Sequence, residues 1–246
     1  MRYLIVSDIH ANWEALQAVL DAAGGQYDRI VCCGDLVGYG ADPNAVVEWA
    51  RANVATVVRG NHDRAAVGLE AIDWFNPMAR KAAQWTTAQL TPENAAYIRA
   101  MPKGPVPCDG FHLVHGSPVD EDEYVVESSE ASEALRYVTA ALTFFGHTHM
   151  QGGFVWRRGR VEPVRRPTRS DDRRLVEFDQ DAAYLVNPGS VGQPRDGDPR
   201  AAFVLFDSSG GFFWFHRLEY DRKQAQEKIR RAGLPPALAD RLAVGR

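Results

Sequence analysis

Val54-Ala55-Thr56-Val57-Val58-Arg59-Gly60-Asn61-His62-Asp63 is the stretch on which the reading of this chain turns. Its first half is an apolar run of the kind that forms a buried strand. Its second half breaks at a glycine and presents an amide, an imidazole and a carboxylate in succession. That succession neither extends a strand nor builds a core, but it suits a turn holding polar groups at the mouth of a sheet. Taken alone, a solvated turn explains it more simply, so its meaning depends on the other strand ends.

Toward the N-terminus the same pattern recurs. The run Tyr3 to Val6 ends at Ser7-Asp8-Ile9-His10, and Arg29 to Cys33 ends at Gly34-Asp35. Between and after these runs lie two helices. One is capped by Asn12, carries Trp13, Leu16, Val19 and Leu20 on one face, and stops at Gly24-Gly25. The other opens at Asp42-Pro43 and buries Val46, Val47 and Trp49. Strand, helix, strand, helix, strand predicts parallel βαβ units. Open α/β sheets place their sites at the carboxyl ends of such strands.

Toward the C-terminus, Ala65 to Met101 reads as helical and inserted. Trp74, Phe75, Met78, Ala82 and Trp85 recur at helical spacing, and Thr91-Pro92-Glu93 starts a further helix. The segment is a candidate cap, although each aromatic taken singly reads as core. Phe111 to Val114 then ends at His115-Gly116-Ser117, followed by an acidic loop from Asp120 to Glu123 and an amphipathic helix from Ser128 to Val138. Leu142 to Phe145 ends at Gly146-His147-Thr148-His149. Beyond it, Gly153 to Trp156, Val161 to Val164, Ala183 to Val186, Ala201 to Phe206 and Phe212 to Arg217 follow closely with turns between them, which predicts a more antiparallel second sheet. Asp221 to Leu242 reads as a helical tail interrupted at Gly233 and Pro235-Pro236.

A chain of 246 residues can bury a substantial core as one α/β domain or two small ones. No apolar run approaches the ~20 residues of a membrane span, and the first residues enter a strand-like run without signal-peptide anatomy, so a cytoplasmic protein is expected. Cys32 and Cys33 are adjacent and Cys108 is isolated, which is neither a disulfide framework nor a zinc knuckle. A net charge of −4 argues against a polyanion-binding surface. Arg157, Arg158, Arg160, Arg165, Arg166, Arg169, Arg173 and Arg174 form a local exception, read first as a solvated hairpin and loop and alternatively as a basic rim for an anionic substrate.

Five strand ends therefore share one grammar, and they hold five of the seven histidines; His112 and His216 are the exceptions. Imidazole, carboxylate and one amide oxygen, without thiolate, suit first-row divalent ions of borderline or harder character. The donors are too many for one structural zinc, which closes with four and usually recruits cysteine. Two ions ~3.5–4 Å apart sharing a carboxylate would use them all, and would supply an activated hydroxide and Lewis-acid clamps for attack at phosphorus.

Asp8-x-His10, Gly34-Asp35, Gly60-Asn61-His62-Asp63, His115-Gly116 and Gly146-His147-Thr148-His149 resemble, in identity and order, the motifs of the calcineurin-like metallophosphoesterase superfamily. The loop Asn187 to Arg195 is similar to that of its small bacterial branch of YfcE-type phosphodiesterases and symmetric diadenosine-tetraphosphate-hydrolase-like proteins. The resemblance implies a four-layer αββα sandwich of two mixed sheets, a single domain over residues 1–246, and a helical cap at about 65–101. It implies that Asp8, His10 and His149 hold one metal, Asn61, His115 and His147 a second, and Asp35 both. The ions would be manganese, iron, zinc, nickel or cobalt, with manganese expected to support activity. His62 would be the catalytic histidine and Asp63 its orienting partner, while Asn12, Arg59, Ser190 and Arg195 would touch phosphate or line the pocket. The expected activity is phosphodiester or phosphomonoester hydrolysis on a small phosphorylated substrate, a nucleotide or dinucleoside polyphosphate. A non-catalytic protein-binding scaffold of the same fold is a second reading, disfavoured because such relatives lack the histidine that His62 supplies. A nuclease is a third, disfavoured by the net acidic charge.

Overall fold

The computed structural model describes residues 1–179 and 181–246. The first sheet begins with three parallel strands, β1 (Arg2–Val6), β2 (Arg29–Cys32) and β3 (Val54–Val57), joined by helices α1 (Trp13–Ala23) and α2 (Pro43–Asn53). Asn12 caps α1, its side chain accepting from Ala15 N at 3.1 Å. The short helix α3 (Asn61–Ala66) follows β3 directly, and α4 (Pro77–Gln89) and α5 (Pro92–Ala100) complete the helical segment. Trp74 and Phe75 lie in the irregular stretch before Asn76, which caps α4, so the helical spacing read through them does not correspond to one helix.

The second sheet starts with β4 (Val106–Pro107), β5 (His112–Leu113) and β6 (Leu142–Phe144), with α6 (Ser128–Ala134) between the last two. Then come β7 (Gly152–Arg157), β8 (Arg160–Pro163), β9 (Arg173–Glu177), β10 (Ala183–Asn187), β11 (Ala201–Asp207) and β12 (Phe212–Leu218), and finally α7 (Arg222–Arg231) and α8 (Pro236–Asp240). The strand orders are β3-β2-β1-β11-β12-β9 and β4-β5-β6-β10-β7-β8. The later antiparallel strands thus do not make a sheet of their own. β11, β12 and β9 extend the first sheet, β10, β7 and β8 extend the second, where β10 runs parallel to β6 and antiparallel to β7, and both sheets are mixed.

Strand alternation builds the layers. In β1, Tyr3 and Ile5 face inward to meet Phe111, Phe144, Phe206 and Phe213 in the core between the sheets. Leu4 and Val6 face outward onto Leu16, Val19, Val46 and Val47 of α1 and α2. On the far side, Phe145 and Leu185 pack against Ala131 and Ala134 of α6. These are the four layers of an αββα sandwich. A further cluster joins Ala65, Phe75 and Ala79 to Ile229, Leu234 and Leu238, so the C-terminal helices pack beside α3 and α4.

Candidate metal centre

The strand ends converge. The segments after β1, β2, β3, β5 and β6 bring Asp8, His10, Asp35, Asn61, His62, His115, His147 and His149 into one buried polar cluster. Asp8, His10, Asp35 and His149 form one donor group, and Asp35, His115 and His147 a second, each with donor atoms within 4.8 Å of one another. Asp35 belongs to both. Its Oδ2 lies 3.6 Å from His10 Nε2 and 3.5 Å from His115 Nε2. Asn61 Oδ1 stands 3.3 Å from His115 Nε2 and so joins the second group.

Backbone carbonyls orient the imidazoles. The outer nitrogens donate, His10 Nδ1 to Val37 O (2.9 Å), His115 Nδ1 to Cys33 O (2.8 Å) and His149 Nδ1 to Gln193 O (2.6 Å). Each of these three rings then turns an unprotonated Nε2 inward, the arrangement that metal-ligating histidines adopt. His147 is reversed: Nε2 bonds Asp122 O at 3.0 Å, and Nδ1 faces His115 at 3.1 Å. No side-chain pattern advertises these carbonyls, which is why the sequence did not reveal them.

The local backbone is strained to make this arrangement. Asp8, His10, Asp35, His147 and His149 have φ values of 51°, 50°, 55°, 64° and 58°. Non-glycine residues in that region cost of order 1–3 kcal/mol each and persist where the surroundings over-determine them. Asp63 is one of the surroundings. Its carboxylate accepts from Asp35 N (2.8 Å), Gly60 N (3.0 Å) and Val37 N (3.2 Å), tying the end of β2 to the start of α3. The expectation that Asp63 orients His62 is therefore corrected: its hydrogen bonds go to the backbone around Asp35, not to the imidazole. Gly60 is required by close approach, because a Cβ there would lie 2.0 Å from Asp35 Oδ1. That oxygen accepts from His62 N at 2.9 Å.

His62 is held by packing. Its ring lies 4.3 Å from Tyr39, 4.9 Å from Phe75 and 5.0 Å from His10, centre to centre. Tyr124 covers His147 at 4.0 Å. Tyr39 and Tyr124 escaped the sequence reading because single tyrosines in loops carry no pattern.

Burial dominates the electrostatics. It holds His10 and His149 well below the usual imidazole range, with the neighbouring His62 next in effect on His10 and the Arg195 charge next on His149. It pushes His147 down to about 2, with His115 contributing. His62 is also pushed well below its ordinary value, by burial and then Arg195. The carboxylates move the other way. Burial raises Asp8 to about 7, and raises Asp35 well above its usual range with the nearby Asp63 charge adding to it. Neutral imidazoles around buried carboxylates form a donor set that a cation stabilises. Asp35 Oδ2 is buried and has no hydrogen-bond donor, which fits a divalent ion on either side of it.

The four expected substrate contacts separate. Asn12 spends its amide on the α1 cap and on Gly192 O (2.9 Å). Arg59 forms a fork with Glu121 at 3.0 and 2.9 Å. Ser190 donates to Asp8 O and accepts from Gln193 N, both at 2.7 Å. These three maintain the loops around the cluster. Only Arg195 stands at its mouth, with its guanidinium carbon 5.6 Å from the centre of the Tyr39 ring.

Comparison with known proteins agrees with this geometry. A calcineurin-like phosphoesterase superfamily domain matches residues 1–211. This chain belongs to the calcineurin-like phosphoesterase superfamily. The crystal structure of a metallophosphoesterase from Sphaerobacter thermophilus is similar over 100% of this chain and 99% of that one, with 39% identity and a TM-score of 0.86. An uncharacterized protein of Methanocaldococcus jannaschii is 35% identical over 98% of this chain and 97% of its own length. A hypothetical protein from Pyrococcus horikoshii shares the fold at 20% identity, with a TM-score of 0.78 over 100% of this chain and 98% of that one. The superfamily's motifs thus coincide with the buried cluster. No helix among the described residues is long and apolar enough to cross a membrane.

Proposed function

We propose that this protein hydrolyses phosphoester bonds of small phosphorylated substrates, nucleotides or dinucleoside polyphosphates foremost, with two divalent ions at the strand ends. The observation that carries this reading is Asp35 Oδ2, buried without a donor and shared by both histidine groups. Asp8, His10 and His149 would hold one ion, Asn61, His115 and His147 the other, and Asp35 both. Bound there, the ions would supply Lewis acidity and an activated water; manganese is the metal proposed for activity.

The chain's own residues set up the reaction. Val37, Cys33 and Gln193 carbonyls keep three imidazoles in the ligating tautomer. Asp63 keeps Asp35 in its strained conformation. His62, wedged between Tyr39 and Phe75, would meet the leaving oxygen as a hydrogen-bond donor and charge stabiliser. Arg195 would neutralise phosphate at the mouth. Residues 65–101 are proposed as a cap that sets specificity, a role supported by the contact of Phe75 with His62 and by Trp74, which is 54% exposed and packs on Phe75. A cytoplasmic location belongs to the same proposal, supported by Cys32, Cys33 and Cys108 being free thiols.

The test is a metal-reconstituted activity screen over monoesters, diesters, cyclic nucleotides, dinucleoside polyphosphates and short oligonucleotides. Turnover of at least one class with manganese is expected. Silence with every divalent metal would defeat the proposal and favour a scaffold.

A further inference from the structure

We infer that the C-terminal segment supplies a second anion clamp, Arg241, which acts with Arg195 to select substrates carrying another phosphate beside the one being hydrolysed. The substrate class rests on the phosphoesterase reading above; the clamp itself is tested independently of it.

Two guanidinium groups flank one aromatic ring. The Arg195 and Arg241 guanidinium carbons lie 5.6 and 5.9 Å from the centre of the Tyr39 ring. That ring in turn lies 4.7 Å from His10 and 4.3 Å from His62. The pair thus stands directly beside the proposed metal ligands and the proposed catalytic histidine. Like charges gathered around a buried ring repel each other and lose hydration. Burial, then the Arg195 charge, pushes the Arg241 guanidinium below its ordinary value.

Among the described residues, no Asp or Glu side chain forms an ion pair with either member of this pair. Arg195 Nε is buried without a hydrogen-bond acceptor, and its Nη2 donates to the neutral Gln193 Oε1 at 3.0 Å. Arg241 Nε donates to a main-chain oxygen of Arg246, the last residue of the sequence. The buried arginines Arg64, Arg200 and Arg217 behave differently, since each faces an aspartate: Asp122, Asp198 and Asp196 respectively. An arginine pair that the fold leaves without an aspartate or glutamate partner is suited to an anion that arrives from outside.

The segment that carries Arg241 is also firmly held. Ile229, Leu234, Leu238 and Leu242 pack in the same apolar cluster as Tyr39 and Phe75. Lys228 bridges Glu14 and Asp42 at 2.5 and 2.9 Å, fastening α7 to α1 and to the start of α2. Gly197 N donates to Gly245 O at 2.9 Å, joining the chain's end to the loop of Arg195. Arg195 N bonds His149 O at 3.2 Å, which ties that loop to the donor cluster.

Two planar forks match the oxygens of a phosphoanhydride chain. A one-phosphorus ester would spend its charge at the metal centre and leave Arg241 without an anion. A diphosphate or longer chain can engage both. The arginines near 157–174 are not needed for this selectivity.

The clamp is tested first on metal-free full-length protein, by calorimetric titration with inorganic pyrophosphate and with orthophosphate. Wild type is expected to bind pyrophosphate about tenfold more tightly, and Arg241→Gln to lose most of that advantage. An advantage that survives the substitution within twofold would overturn the inference. Circular dichroism checks the fold of the variant. If Arg241→Gln does not fold, Arg241→Lys is used: it keeps the charge but not the fork, so the advantage should fall about threefold, and an unchanged advantage overturns the clamp. In manganese-loaded protein, the ratio of kcat/KM for phosphate release from ADP to that from AMP should fall with the same substitution; an unchanged ratio would defeat the substrate assignment. Absence of all ester hydrolysis would defeat only the phosphoesterase reading, because the pyrophosphate titration needs no turnover.

Discussion

Two polar-rich regions of this molecule have opposite fates. The strand-end residues Asp8, His10, Asp35, Asn61, His62, His115, His147 and His149 all point into one buried cluster. The arginines from 157 to 174 scatter. Arg157 pairs with Glu162 on the β7–β8 hairpin at 2.9 Å, and Arg166 pairs with Asp196 at 2.7 Å. Arg169 bonds the Gly197 carbonyl, and Arg173 lies over Trp214 in the other sheet. The first set follows strands that run in parallel within each sheet and finish at one edge of the sandwich, so neighbours in space share a direction. The second set lies along a chain that leaves one sheet at β8 and enters the other at β9, and Arg157, Arg166 and Arg169 are each held by a different local acceptor. Density of charge in sequence makes a site only where topology aims it at a common point.

The comparison fails most visibly if the shared carboxylate is dispensable. Asp35→Asn should lose bound metal and lower turnover on the order of 10³-fold or more, measured by elemental analysis and initial rates. Metal content equal to wild type would remove Asp35 from the centre. His62→Ala sharpens the division of labour inside the cluster. It should retain metal while turnover falls about 10²–10⁴-fold, and a wild-type rate would take His62 out of the reaction. Asp63→Ala probes the support beneath the cluster. Three buried amide groups lose their acceptor, so urea denaturation of the metal-free protein should show a loss of about 3 kcal/mol.

Smaller effects are expected away from the strand ends. His216 stacks on Phe203 at 4.7 Å, and burial, aided by the Arg173 charge, holds it down to about 4. It stays neutral when folded but gains a proton in the unfolded chain below about pH 6.5. Its contribution is therefore complete above that pH and disappears as pH falls toward 4, a change of about 1 kcal/mol after allowance for solvent screening. His216→Phe should remove that slope from denaturation curves between pH 6.5 and 4; an unchanged slope would assign it to other groups. Arg157→Ala and Arg173→Ala should cost under about 0.5 kcal/mol and change turnover less than about twofold. A tenfold loss in either would make the arginine segment a substrate rim after all.

Much of the fold could be read in the chain because the strands and their polar ends announce themselves locally. Other elements could not. β9 is an edge strand of sequence Arg173-Arg174-Leu175-Val176-Glu177 with alternating exposed and half-buried residues, so it lacks the apolar run that marks a strand. β4 is two residues long and ends on Pro107. The division of the antiparallel strands between two sheets was equally hidden, since period-two alternation looks the same whichever sheet receives the strand.

At the site, sequence alone determined which side chains are there: carboxylates, imidazoles and an amide placed after apolar runs, where a strand must end and a turn must begin. Tertiary structure decided what those side chains do. It assigned Asp63 to the backbone of Asp35 and Gly60, spent Asn12 and Ser190 on loops, and oriented the imidazoles with the carbonyls of Val37, Cys33 and Gln193. It also brought Arg241, near the end of the chain, to the face of Tyr39. The physical reason is that residue type fixes the available chemistry, whereas a hydrogen bond or ion pair depends on distance and direction, which packing between distant segments sets.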